Sequence, residues 1–263
     1  MYIAVYNDKG GCAKSTFVRE MSLFLERKRR KPLIIDLDYK HSITKSFEID
    51  NKNNITHVLE GIKSIEDVIV ETDYIDIVPG DYSLRNCDIN VNLRDKLASL
   101  EGDYDYFFFD TALEDRISDM AIYTSDAVIV PIIPQKYDVD NLKYTLDHIN
   151  KVSENNQKIF ILIMRCDKSE DGLYEIERIK KIAKDNEICL FVNSIRNDET
   201  VKSVQEKGKE LRSYDFVSEA AEDYKSLTDE FISKFDDYKR ELIKRIETVK
   251  EEEVIEIKLG ENN

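Results

Sequence analysis

Tyr2-Ile3-Ala4-Val5-Tyr6, then Asn7-Asp8, then Lys9-Gly10-Gly11-Cys12-Ala13-Lys14-Ser15-Thr16, then Phe17-Val18-Arg19-Glu20-Met21: these opening residues decide the fold. An apolar strand-like run enters a glycine loop, and the loop opens directly into an amphipathic helix, which is the setting a phosphate-binding loop requires. Glycines let backbone N–H groups turn toward an anion, and the helix N-terminus adds partial positive charge at the same spot. Lys14 is then placed for the β and γ phosphates of a nucleotide. The Ser15 hydroxyl is placed for Mg²⁺, an ion that takes few protein ligands and otherwise shares phosphate oxygens and water. Thr16 falls to the α phosphate. A strict Walker pattern has Gly where Asp8 and Ala13 stand, and a Cβ at the tight Ala13 position predicts strain or shifted backbone donors.

Outward from this loop, short apolar runs alternate with longer helical patterns, the sequence form of repeated βαβ units around a buried parallel sheet. Strands are expected at 2–7, 32–37, 74–78, 104–109, 127–133, 158–164 and 188–193, and helices at about 14–29, 55–60, 64–70, 83–99, 116–124, 138–153, 172–185 and 199–207. From Ser218 to about Lys250, Ala221, Tyr224, Leu227, Phe231, Phe235 and Tyr238 recur at helical spacing without Pro or Gly, predicting one or two long helices. The run 254–259 reads either as a marginal strand or as a frayed tail. The expected organisation is one domain over 1–250 followed by an acidic tail, 251–263. The fold class is α/β: a doubly wound, mostly parallel sheet flanked by helices.

Two of these strands end in acid. Leu33-Ile34-Ile35-Asp36-Leu37-Asp38 closes the second, and Tyr106-Phe107-Phe108-Phe109-Asp110-Thr111 the fourth. Ligands lie at the carboxyl edge of such sheets, so these carboxylates stand where they can order a metal ion or its water. A strand as apolar as 104–109 is buried on both faces, and its terminal Asp110 is costly unless it meets an ion or a hydrogen bond.

The 263 residues include 41% hydrophobic and 35% charged positions, enough for a large core under a highly charged surface. A formal charge of -15 argues against a globally basic nucleic-acid binder. Any DNA contact must be regional. Cys12, Cys87, Cys166 and Cys189 lack C-x-x-C spacing, which fits a reducing, cytoplasmic setting, and the N-terminal run carries no targeting pattern. The basic run Arg27-Lys28-Arg29-Arg30-Lys31 falls where cations complement the end of the first helix.

The loop Lys9-Gly10-Gly11-x-x-Lys14-Ser15, with a lysine ahead of the glycines, resembles the deviant Walker A loop of the ParA/MinD family of partitioning and positioning ATPases, and ParA-type members most. Asp36-Leu37-Asp38 resembles that family's Asp-x-Asp switch, although Tyr39-Lys40 replaces the usual Pro-Gln. Asp110-Thr111 resembles its Walker B strand end, with Ala112-Leu113 in place of Pro-Pro. The match in order and interval covers about residues 1–212. It implies ATP and Mg²⁺ as cofactors, Asp38 positioning the attacking water, and Asp36, Asp110 and Ser15 around the metal. Nucleotide contacts run from Lys9 through Gly10, Gly11, Cys12, Ala13, Lys14, Ser15 and Thr16, with Met164, Arg165 and Arg196 near the base. Lys9 would reach a partner's nucleotide across a two-fold axis, making Lys9, Lys14 and Asp38 the catalytic set and the ATP state a homodimer.

The resemblance further implies slow, partner-stimulated hydrolysis, a cargo-bound adaptor of the ParB kind and nonspecific DNA binding, which would place the chain at the nucleoid. The basic candidates for DNA are Lys180-Lys181-Lys184, Lys202-Lys207-Lys209-Arg212 and Lys239-Arg240-Lys244-Arg245. A membrane-positioning role like that of MinD needs a basic amphipathic C-terminal helix, and Glu251-Glu252-Glu253 and Glu256 argue against contact with a membrane. A feebly hydrolysing ATP-dependent scaffold stays open because of Ala13.

Overall fold

The computed structural model describes residues 1–50, 52–89, 91–113, 115–153, 157–167, 169–214 and 218–260, with backbone only for 214 and 246–260. The chain opens with β1 (Tyr2–Val5), α1 (Lys14–Arg27), β2 (Pro32–Leu37), α2 (Ser42–Ser46) and α3 (Ile55–Leu59). It continues through β3 (Val70–Glu71), β4 (Asp76–Val78), α4 (Leu93–Leu97), β5 (Tyr106–Thr111), α5 (Arg116–Thr124) and β6 (Ala127–Ile132). The last third holds α6 (Lys136–Val152), β7 (Lys158–Ile163), α7 (Glu170–Asp185), β8 (Cys189–Leu190), α8 (Glu199–Glu206) and α9 (Glu219–Gly260).

Among the described residues the strands form one sheet in the order β3-β4-β2-β5-β1-β6-β7-β8, parallel except for the short β3 at its edge. Every residue of β1, β2, β5 and β6 is buried, as strands covered on both faces must be. Alternate residues of these strands feed two cores. Tyr2, Ala4, Phe107 and Phe109 join the core on one face, while Ile3, Val5, Phe108 and the apolar side of α1 join the other. The stripe read in the C-terminal segment is the buried face of α9: Phe231 and Phe235 stack at 4.1 Å, and Phe235 lies 4.8 Å from Phe160 of β7. Lys28 and Arg30, read from sequence as a helix-end charge cluster, pair with Asp229 and Asp236 of α9.

Five local readings change. The helix expected at 83–99 is a 3-10 turn (Tyr82–Asn86) followed by an extended Cys87, and then the short α4, whose cap is the Asn92 side chain. The Asn92 side chain accepts from the Arg94 N–H at 2.9 Å, a local bond that starts a new helix in place of continuing the earlier turn. The expected helix at 64–70 is a 3-10 turn (Glu66–Val68) running into β3, because Ile69 and Val70 are β-branched and continue as strand. The strand expected at 188–193 shrinks to Cys189–Leu190, and α2 was not foreseen. The C-terminal segment is one helix, and it carries on through 254–259 to Gly260 where a strand or frayed tail was the expectation. Residues 261–263 of the expected tail lie outside the described residues.

Candidate functional site

Strand ends and the loop after β1 converge on a cleft of about 480 Å³ at the carboxyl edge of the sheet. Gly10 through Thr16 line it, with Asp38, Ala112 and Leu113 on one flank and Met164, Arg165, Arg196 and Asn197 on the other. The loop turns because Gly11 adopts φ 82° and Ala13 φ 70°, ψ 29°; Ala13 is thus a left-handed non-glycine residue at the N-cap of α1. No side chain caps that helix start. Its exposed N–H groups face the cleft as an anion cradle.

The charged groups of the loop hold provisional partners. The buried Lys14 ammonium donates to the carbonyls of Asn7 at 2.9 Å and Lys9 at 3.3 Å. Asn7 supports that turn, accepting from the Lys9 N–H at 3.0 Å and donating to the Pro131 carbonyl at 2.8 Å. Asp8 accepts from Asn141 at 2.7 Å and from the Thr145 hydroxyl, which ties the loop to α6. Lys9 does not line the cleft; its ammonium sits 2.5 Å from the buried carboxylate of Asp138 on α6 of the same chain and keeps 38% exposure. Burial pushes the Cys12 thiol up, against the nearby Lys14 charge.

Beneath the cleft lie two carboxylates in register, Asp36 of β2 opposite Asp110 of β5, both fully buried. Asp36 accepts from the Thr44 N–H at 2.9 Å and the Thr44 hydroxyl at 2.7 Å. Burial lifts its pKa to about 6, the Thr44 bonds hold the rise back, and the Asp38 charge adds to it. Neither oxygen of Asp110 has a hydrogen bond of good geometry. Burial first, and the Asp36 charge second, raise Asp110 well above the ordinary range, with the Ser15 hydroxyl near enough to favour the anion. A bare buried carboxylate beside a hydroxyl, at the foot of a phosphate cradle, fits the donor set of a divalent cation.

At the other end of the cleft, Arg165 takes φ 52° and its Nε reaches Asn197 at 3.4 Å. Arg196 lines the cleft, but its guanidinium is committed to α9: Nε and a terminal nitrogen bind Asp223 at 2.8–3.1 Å, and another binds Glu219 at 2.9 Å. Sequence reasoning missed Asp138 and Thr44, and it did not name Gln205 as a contact, although its Oε1 lies 3.5 Å from the Thr16 hydroxyl. Asp138 sits in the first turn of α6, where an acid needs no more explanation than the helix dipole.

A family model described as an AAA domain matches residues 1–161. The chain belongs to the ParA/MinD family of P-loop ATPases. One ParA/MinD relative is the sporulation initiation inhibitor protein Soj of Bacillus subtilis (strain 168), 24% identical over 247 residues that cover 87% of this chain and 96% of Soj. The fold is shared with an ATP complex of McdA from Cyanothece, at TM-score 0.76 and 18% identity over 87% of this chain and 95% of that one. It is shared too with the septum site-determining protein MinD from Pyrococcus horikoshii complexed with Mg-ADP, at TM-score 0.72 and 21% identity over 88% and 95%. No helix among the described residues is long and apolar enough to cross a membrane.

Proposed function

We propose that this ParA/MinD chain is an ATP-dependent switch that binds ATP with Mg²⁺, closes into a homodimer around it and reopens after slow hydrolysis. The observation that carries this reading is the buried Asp110 carboxylate, with no hydrogen bond of good geometry and the Ser15 hydroxyl close by, under a glycine loop whose Lys14 rests on carbonyls. Ser15, Asp110 and Asp36 would hold Mg²⁺, which when bound supplies positive charge against the phosphate oxygens. Lys14 leaves the Asn7 and Lys9 carbonyls for the β and γ phosphates. Asp38 orients the attacking water. Gly10 to Ala13 offer backbone N–H groups to the phosphates, Thr16 meets the α phosphate, and Met164 and Arg165 border the base. Arg196 serves that border through its place in the cleft wall, its guanidinium being held by α9. Lys9 must exchange Asp138 for charge developing on the partner's nucleotide, which couples dimer formation to hydrolysis.

The switch would serve plasmid or chromosome partition, with nonspecific DNA as the track and an adaptor of the ParB kind as stimulator. Residues 1–250 would act as one ATPase domain in the cytoplasm. A second reading, cargo positioning or an ATP-bound scaffold on another surface, is favoured by the fate of the basic candidates. Lys180, Lys202, Arg212 and Arg240 each meet an acid of their own chain, so DNA contact would fall to exposed residues such as Lys181, Lys184, Lys207 and Lys209. Sedimentation of wild type and Lys9→Ala with ADP or ATP-Mg²⁺, with and without duplex DNA at two salt concentrations, tests both. An ATP-dependent dimer that needs Lys9 and carries DNA at low salt supports partition. A dimer indifferent to DNA moves the reading to another cargo, and a monomer in every nucleotide state ends the switch.

A further inference from the structure

Helix α2 lacks a cap of its own. His41 at its N-cap is left-handed and makes no side-chain capping bond, yet the third N–H of the helix, that of Thr44, is satisfied from a distance by Oδ2 of Asp36 at 2.9 Å. The Thr44 hydroxyl doubles this contact at 2.7 Å and itself accepts from the Gly80 N–H at 3.0 Å. A hydroxyl that receives from an amide on one side has its own proton directed to the carboxylate on the other. Gly80 can be nothing larger: a Cβ there would stand 2.5 Å from the Asp36 carbonyl oxygen and 3.2 Å from its Cγ. The exit of β4, the start of α2 and the end of β2 therefore close on one carboxylate. The other oxygen of Asp36 accepts from the Asp38 N–H at 3.3 Å, and the 36–44 segment between these contacts carries Asp38 into the cleft wall.

We infer that Thr44 is a positioning residue of the hydrolytic site: its hydroxyl fixes the Asp36 carboxylate and, through the short 36–44 closure, the placement of Asp38. The inference rests on the ATP–Mg²⁺ reading above. Thr44 does not line the cleft, so its removal acts on Mg²⁺ response and turnover and spares the binding of ATP itself.

The test compares wild type, Thr44→Val, Thr44→Ala and Thr44→Ser. A fluorescent ATP analogue is titrated with and without Mg²⁺, the Mg²⁺ concentration for half-maximal effect is determined, and kcat and KM for ATP are measured alongside. For the two hydroxyl-free variants the expected result is Mg²⁺-free affinity within about twofold of wild type, with the half-maximal Mg²⁺ concentration raised and kcat lowered by about 10–100-fold. Thr44→Ser, which keeps the hydroxyl, should restore both to near wild type. Wild-type Mg²⁺ dependence in Thr44→Val or Thr44→Ala overturns the inference, as does Thr44→Ser shifting as far as Thr44→Val. If the hydroxyl-free variants lose their melting transition, Thr44→Ser decides: retained Mg²⁺ dependence supports the role, and a shift of about tenfold or more removes it. A wild type that binds no ATP at any Mg²⁺ concentration overturns the switch reading itself and the inference with it, an outcome set apart by failing before any variant is made.

Discussion

The phosphate loop and the carboxylate floor beneath it solve the problem of buried charge in opposite ways. In the loop every charge has a stand-in: Lys14 rests on two carbonyls, Lys9 on Asp138, and Asp8 on Asn141 and Thr145. On the floor, Asp36 is held by Thr44, while Asp110 has the Ser15 hydroxyl nearby but no hydrogen bond of good geometry. Groups with provisional partners can be exchanged for a ligand at small cost to the resting fold. A bare buried carboxylate weakens the resting fold and is relieved only by what binds there.

That contrast breaks first at Lys14. Lys14→Ala should cut ATP hydrolysis by about 10²–10³-fold, the scale of losing one preorganised donor to transition-state charge. Its ligand-free stability should move by no more than about 1 kcal/mol, since the carbonyls it leaves belong to a turn at the edge of the cleft. A large drop in the urea midpoint with hydrolysis intact would reverse the assignment.

The floor should instead announce itself in stability. Asp36 has a folded pKa near 6 against an ordinary value of 3.8, so the fold binds its proton more tightly than the unfolded chain does. The associated stability is fully present below pH 3.8 and is lost as the pH rises through about 6, an effect of about 3 kcal/mol. Urea unfolding of the ligand-free protein at about pH 4 and pH 7, referred to Asp36→Asn, which keeps an oxygen for Thr44 but does not titrate, reads it directly. An identical pH slope in the two proteins would mean that Asp36 is solvated as an ordinary carboxylate.

Asp110→Asn separates the two roles of the floor in one protein. Hydrolysis should fall about 10–100-fold with loss of Mg²⁺ dependence, while the ligand-free protein gains about 1–3 kcal/mol at neutral pH because a carboxyl whose ionisation burial opposes is replaced by a neutral amide. Loss of stability and activity together would show that Asp110 has a partner in the resting fold after all.

Much of this was readable from the chain, for physical reasons. The loop, the apolar run ending in Asp110 and the stripe Tyr224-Leu227-Phe231-Phe235 are local patterns whose period or composition names their setting. What could not be read is set by distance and by brevity. Lys9 meets an acid 129 positions away, and no pattern around Asp138 distinguishes it from an ordinary first-turn acid. Helix α2 is five residues long and its third N–H is served by a side chain of the preceding strand, so neither periodicity nor a cap signal marks it. The segment 83–99 failed differently: its apolar spacing was helical, but the Asn92 side chain accepts from the Arg94 N–H and starts a separate short helix there.

The smallest effect tests the loop's own backbone. Ala13 sits at φ 70°, a region that costs a residue with a Cβ about 1–2 kcal/mol relative to glycine. Glycine would relieve that strain but would also gain freedom in the unfolded chain, offsetting about 0.4–1 kcal/mol of the benefit. Ala13→Gly should therefore raise stability by only about 0.5–1 kcal/mol, visible as a melting shift of about 1–4 °C for a chain of this size. The donors of the loop already point into the cleft with alanine in place, so kcat should stay within about threefold of wild type. A tenfold gain in turnover would mean that alanine holds the cradle off its working geometry, and that the strain in this loop bears on hydrolysis as well as on the resting fold.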